Sequence, residues 1–254
     1  MTAQAYAALE AARRDFSALV AAFSRKTPWL KTLQDELRLE MGYDDYRVET
    51  PVVYNRALDE LGPKDRYSFI LVADNPGKKE QLAANNRYLV GQSGRLAEGF
   101  FRDRLGMDFR KEVLILNKSP LHTPKTAELR RLLALAKERG DAEGRTLEEL
   151  FLLSQETMAG MARSLHGASS PKVVLWLSGL GEFGKRGLFR HYADALGKAY
   201  ADAPEALRKR VWLFRHFSMN QFSQEVNKNA DPSKPLLEEL ERIGVSNRRR
   251  LLGW

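Results

Sequence analysis

Four polar segments each follow directly on a run of apolar residues. Between them they hold most of the side chains in this chain that could do acid–base or recognition chemistry. They are Asp74-Asn75-Pro76-Gly77, Asn117-Lys118, Ser178-Gly179 and His216-Phe217-Ser218. Asp74 and Asn75 project two polar side chains from a strand end. Asn117 carries a carboxamide that donates and accepts at once, which suits an amide or the edge of a nucleobase. His216 and Ser218 end the fourth run, and a histidine can change charge near neutral pH. A fifth segment, Tyr88-Leu-Val-Gly91-Gln-Ser93-Gly94, is a glycine-rich turn at the head of an expected helix, where backbone N–H groups can hold a phosphate or a base edge. Each segment also has a plainer reading. Asn-Pro-Gly is a common turn, a strand-end Asn is often a cap, and a lone His at a strand end is more often structural.

The apolar runs before these segments give the frame that must position them. Tyr67–Ala73, Val113–Leu116, Lys172–Leu177 and Val211–Phe214 are nearly continuous in apolar residues, as strands covered on both faces are. Helical periodicity fills the gaps, over Ser93–Leu105, Thr126–Arg139, Arg145–Leu165, Leu188–Tyr200 and Pro235–Ile243. Four strands separated by helices predict a three-layer α/β/α sandwich with a four-stranded parallel sheet. In such a sheet the strand ends share one carboxyl edge, and that edge is where ligands bind. Two further amphipathic helices, 3–25 and Trp29–Met41, precede the first strand, with an irregular stretch from Gly42 to Pro63. No flexible linker follows them. The expected organisation is one domain over residues 1–254, with 1–63 a helical N-terminal extension and 64–254 the α/β core.

Composition narrows the chemistry. There is no cysteine, which removes disulfides, thiolate catalysis, cysteine-bound zinc and iron–sulfur clusters together. The four histidines have no pair at helical spacing, so no metal site is expected, and no cofactor. Basic residues outnumber acidic ones by 41 to 33, a net charge of +8, which favours a polyanionic partner. No run approaches the ~20 apolar residues of a membrane span, and no apolar leader opens the chain. A cytoplasmic monomer without membrane contact is the expectation. Gly179-Leu-Gly181-Glu-Phe-Gly184 has the spacing of a dinucleotide-binding turn, but no acidic residue ends the following strand, which runs into Arg215-His216. It is read as a strand-to-helix turn.

Taken in order, these segments resemble the motifs of the uracil-DNA glycosylase superfamily. Ala73-Asp-Asn-Pro-Gly77 is similar to its first motif, G-[EQIML]-[ADN]-P-[GY]. Tyr88-Leu-Val-Gly-Gln-Ser-Gly94 is similar to P-F-V-G-x-[AS]-G of the thermostable, cluster-containing branch. Leu116-Asn117-Lys-Ser-Pro120 resembles T-N-x-V-K, Leu177-Ser-Gly-Leu-Gly181 resembles L-G-x-x-A, and His216-Phe-Ser-Met219 echoes H-P-S-P. The likeness covers residues 66–230. Ala73 stands for the first glycine, Leu89 occupies the position of the base-stacking Phe, Phe217 replaces a Pro, and the cluster cysteines are missing, which points to a cluster-free type.

The resemblance implies a monofunctional hydrolase that cleaves the N-glycosidic bond of uracil or another damaged base in DNA, as in base excision repair. The target base must leave the stack, single- or double-stranded, and enter a pocket. On this reading Asp74 or Asn75 holds the water, Asp74 also stabilises the cationic sugar by its charge, and His216 donates to the departing base's carbonyl. Tyr88, with Leu89 beside it, stacks on the base, and Asn117 reads its edge. Gly77, Gln92, Ser93, Lys118 and Ser218 contact the DNA backbone, and Met219 fills the vacated stack. Two other readings stay open: a catalytically altered nucleic-acid-binding protein of the same fold, and a nucleotide- or nucleoside-binding α/β enzyme.

Overall fold

Strand and helix formation follow the hydrophobic patterning closely in the computed structural model, which describes every residue from Met1 to Trp254. The elements in chain order are α1 (Ala3–Lys26), α2 (Leu30–Glu40), β1 (Phe69–Ala73), α3 (Gln92–Leu105), α4 (Phe109–Glu112), β2 (Val113–Asn117), α5 (Leu129–Arg139), α6 (Asp141–Ala168), β3 (Val174–Ser178), α7 (Arg190–Ala199), α8 (Glu205–Arg208), β4 (Val211–Phe214), α9 (Gln221–Asn229) and α10 (Leu236–Leu252). All four strands are buried along their whole length, which is why their sequences lack apolar–polar alternation.

The sheet is wholly parallel, with strand order β2-β1-β3-β4. The connection from β1 runs outward to β2, and the next returns past β1 to β3. The direction of winding therefore reverses between β1 and β3. A crevice opens at such a reversal, outside the carboxyl ends of the two strands. Here those ends are Ala73-Asp74 and Ser178-Gly179.

Helices cover both faces. The long α6 lies against one face, with α1, α5 and α7 packed around it. Against the other face, Phe100 and Phe101 of α3 meet the strand aromatics Phe69 and Trp176, and Trp176 also meets Trp212, Phe214, Phe217 and Phe222. Helix α10 covers β4 so closely that a Cβ at Gly244 would lie 3.0 Å from Phe214 Cζ and collide with Trp212. One continuous apolar core includes Leu9, Phe16 and Phe23 of α1 as well as Leu240 and Ile243 of α10, so the N-terminal helices share the core of the sheet layer.

Three elements differ from the periodicity. Helix α9 is absent from the sequence reading, because Phe222 and Val226 are its only buried apolar residues and Glu225 fills the rest of its inner face. Helix α10 continues past Ile243 to Leu252, because Asn247 and Arg248 are buried where apolar residues would be expected. Arg248 is 1% exposed, and its guanidinium donates to the Arg208 carbonyl. The glycine-rich segment after β3 forms a single 3₁₀ turn, Leu180–Phe183, and the next helix starts only at Arg190, so no helix N-terminus stands there to receive a pyrophosphate.

Candidate functional site

Asp74 is the first residue beyond β1, and Lys118 the first beyond β2. The Lys118 N–H bonds back to the Ala73 and Asp74 carbonyls, at 2.9 and 3.0 Å, so the two strand ends stay in register past the sheet. That register brings the Lys118 ammonium onto Asp74 Oδ1, with a second bond of 2.6 Å to the Ser178 carbonyl at the end of β3. The rings of Phe183 and Phe189 flank the ammonium at 4.3 and 4.9 Å. Lys118 has no exposed surface, and Asp74 is 6% exposed. Burial pulls the Lys118 ammonium below the ordinary lysine range, and the Asp74 carboxylate opposes that. Thr126 Oγ1 donates to the other carboxylate oxygen at 3.3 Å. The pair thus ties together the ends of β2, β1 and β3 at the winding reversal.

Gly179 makes this possible. Its φ is +86°, and a Cβ there would strike Asp74 Oδ1 and lie 2.9 Å from Lys118 Nζ. Only glycine combines that backbone with that approach.

A cleft of about 740 Å³ lies above the pair. Its floor and walls include Asp74, Asn75, Glu80, Leu89, Thr126 and His216. Asn75 donates from Nδ2 to Thr123 Oγ1 at 2.9 Å and to the Leu121 carbonyl at 3.3 Å, while its Oδ1 has no protein partner. His122 fixes the same turn from behind, with Nδ1 2.9 Å from the Pro76 carbonyl. Since a carbonyl only accepts, Nδ1 carries the proton. Burial drives this histidine's pKa to about 4, so it is neutral.

His216 faces Asp74 across the cleft. The Ser218 N–H donates to His216 Nδ1 at 3.0 Å, and Ser218 Oγ lies 2.7 Å from the same nitrogen. An accepting Nδ1 leaves the proton on Nε2. Burial lowers the imidazole pKa, the Asp74 carboxylate raises it, and the Lys118 cation lowers it again. The net direction is down, so at neutral pH His216 presents an uncharged Nε2–H donor. The loop that follows is closed by the Phe222 N–H on the His216 carbonyl, at 3.0 Å. Closing it so tightly puts Met219 and Asn220 at φ +53° and +55°, and leaves Met219 77% exposed on the rim. Strained non-glycine backbone of this kind clusters at ligand sites.

Gly77, Gln92, Ser93, Ser218 and Met219 line the same cleft as Asp74, Asn75 and His216, together with the cations Lys78, Lys79, Arg95 and Lys125. Lys78 is held by Asp45 at 2.7 Å and lies 4.0 Å over the Tyr43 ring, whereas Lys79 and Arg95 are exposed and pair with no carboxylate.

Three expected roles do not fit the structure. Tyr88 is fully buried: its hydroxyl donates to the Val53 carbonyl at 2.8 Å and its ring packs near Phe16, so it anchors α1 to the core and has no face for a base. Lys118 cannot reach a phosphate, because its ammonium is sealed beneath Asp74. Asn117 is 2% exposed and is not among the side chains that line the cleft, so it reads no base edge as the chain stands. Leu89 does line the cleft, with φ +53° and its carbonyl held by Arg110 at 2.5 Å. A Cβ at Gly94 would run into that carbonyl. Apart from the His216 imidazole, no aromatic ring borders the cleft.

Glu80 was not singled out from sequence. It is buried, accepts from the Gly77 N–H, and lies near enough to the Leu89 and Gly91 amides for them to stabilise its charge. Burial raises its carboxyl pKa, and those amides together with Arg110 oppose the rise. Glu80 therefore clamps the Gly77 turn to the glycine-rich turn. No group of three or more His, Asp or Glu side chains gathers in a way that could hold a metal ion, and no helix is long and apolar enough to cross a membrane.

No protein-family model, curated protein or solved structure matches this chain. The class the geometry defines is a doubly wound α/β protein with a polar, cation-rimmed cleft at its winding reversal.

Proposed function

We propose that this cleft hydrolyses the N-glycosidic bond of a modified base in a nucleic-acid strand. The observation that carries the reading is the meeting of Asp74 and His216, from opposite ends of the sequence core, across one cleft in complementary states. Hydrolysis of this bond develops negative charge on the departing base and positive charge on the sugar. A neutral His216, held as the Nε2–H tautomer by Ser218, is a donor for the base carbonyl. Asp74, kept beside a buried cation, is the carboxylate that faces the sugar and its water. The four cleft cations meet the flanking phosphates, and exposed Met219 is an apolar wedge for the space the base leaves.

The test is strand cleavage by alkali after incubation with single-stranded and duplex oligonucleotides carrying uracil, then hypoxanthine, xanthine and alkylated bases. His216→Ala should lower turnover by about 10²–10³ with little change in KM, because the charge it meets forms only in the transition state. An equal rise in KM and no fall in kcat would refute its role.

One observation favours a second reading. With Tyr88 buried and no other ring bordering the cleft, a flipped base lacks a stacking surface. A nucleic-acid-binding protein without excision activity fits that absence. DNA binding with no cleavage of any modified substrate would select it, and no DNA binding at low salt would reject both.

A further inference from the structure

Behind the cleft wall lies a second concavity, of about 610 Å³, between α9, α10 and the end of β4. The two share the segment that follows β4. His216 lines the cleft, and the residue before it, Arg215, lines this groove. Successive side chains of an extended segment point to opposite sides, so one short stretch of chain serves both.

The groove is built to hold positive charge without neutralising it. Arg215, Lys228 and Arg250 line it, all three are exposed, and none forms a salt bridge. The acid on its floor, Glu225, is occupied by neutral donors: its oxygens accept from the Arg215 N–H at 2.7 Å and from Asn247 Nδ2 at 2.9 Å. A fourth cation, Arg242, is already engaged by Glu239. Arg215 and Lys228 thus make no side-chain hydrogen bond, and Arg250 donates only to the neutral Asn247 Oδ1, at 3.1 Å, so three uncompensated cations stand around a polar trough that adjoins the cleft.

We infer that this groove binds the phosphodiester backbone of a single nucleic-acid strand leaving the cleft past the Arg215–Gln221 segment. The lining favours a nucleic acid over an acidic peptide. Its only apolar members are Leu180 and Ile243, which give no anchor for the buried side chains that dominate peptide affinity. Exposed guanidinium and ammonium groups on a polar wall are what phosphate oxygens take. The inference rests on the nucleic-acid part of the proposed function but not on its chemistry.

The experiment measures fluorescence anisotropy of a labelled, undamaged ~20-nucleotide single strand against salt concentration. Three full-length proteins are compared: wild type, the triple variant Arg215→Gln, Lys228→Gln, Arg250→Gln, and a control with equal charge loss at the opposite edge of the sheet, Arg66→Gln, Lys111→Gln, Lys172→Gln. Three lost phosphate contacts should reduce the slope of log K against log salt by about 2, and weaken low-salt binding at least ~10-fold. The control should change the slope by less than ~0.5. Equal effects in the two triples would overturn the inference, leaving net charge as the cause. So would a groove variant that binds like wild type. Because the strand is undamaged, success or failure here is independent of whether excision occurs.

Discussion

Replacing Lys118 by Met keeps most of the side chain's length and apolar volume and deletes its charge. Asp74 would then keep one hydrogen bond, from Thr126 at 3.3 Å, while only 6% exposed. Breaking a buried ion pair by removing one partner costs about 3–5 kcal/mol, because the remaining charge is left uncompensated. For a chain of 254 residues, each kcal/mol lowers Tm by about 2–4 °C, so a fall of about 6–20 °C is expected. The double variant Asp74→Asn, Lys118→Met carries neither charge and should recover most of the loss, with a coupling of at least ~2 kcal/mol in the cycle. Differential scanning calorimetry of the four proteins between pH 5 and 8 reads all of this. A Tm within ~2 °C of wild type for Lys118→Met, or a double variant no more stable than the single, would refute the account of the pair as a coupled buried charge.

Gly179→Ala should destabilise by about 1–2 kcal/mol from its left-handed backbone alone, with more from displacing Asp74 and Lys118; an urea-unfolding loss below ~1 kcal/mol would show that the turn can relax. Acid should weaken the fold early. His122 and His166 are buried with pKa values near 4, against ~6.5 when unfolded, so the unfolded chain binds more protons in between and stability falls as pH drops from about 6.5 to 4. Each contributes on the order of 3 kcal/mol over that range, a large part of a typical 5–15 kcal/mol; an unfolding free energy that stays flat from pH 6.5 to 4.5 would contradict their burial as neutral groups.

The architecture was legible because burial on both faces leaves an unmistakable signal, an unbroken apolar run, at all four strands. The shared carboxyl edge followed from parallel order, and with it the meeting of Asp74, Asn75, His216 and Ser218. What sequence could not show was the depth of each side chain at that edge. Asn117 and Lys118 are consecutive strand-end residues of the kind that face a ligand, yet both are buried, because the Lys118 ammonium has a carboxylate, a carbonyl and two rings to satisfy it. Tyr88 sits in a glycine-rich turn, where exposure is the usual expectation, but α1 folds back over that turn and Phe16 encloses it. The fold of the N-terminal helices onto the sheet, which no local pattern announces, turned that aromatic from a ligand surface into core. Glu80, Gln81 and His122 were missed for the same reason: each looks ordinary in sequence and becomes a clamp only through partners more than thirty residues away or across a turn.

These displacements divide the site unevenly. The parts that manage charge remain in the cleft: a carboxylate with a captive cation, a neutral imidazole of fixed tautomer, and free cations on the rim. The side chains expected to stack on a base and read its edge, Tyr88 and Asn117, lie in the core. Aromatic stacking on a base is worth about 1–3 kcal/mol. If the cleft excises bases as proposed, the want of a stacking ring should make it discriminate weakly among bases of similar size and depend more on how easily the base leaves its stack and how stable an anion it forms. Relative excision rates should therefore follow leaving-group acidity across the modified bases, steeply and with little regard to ring substituents. A single base cleaved at least ~10⁴-fold faster than others of equal acidity would mean that a recognition surface exists elsewhere on this edge.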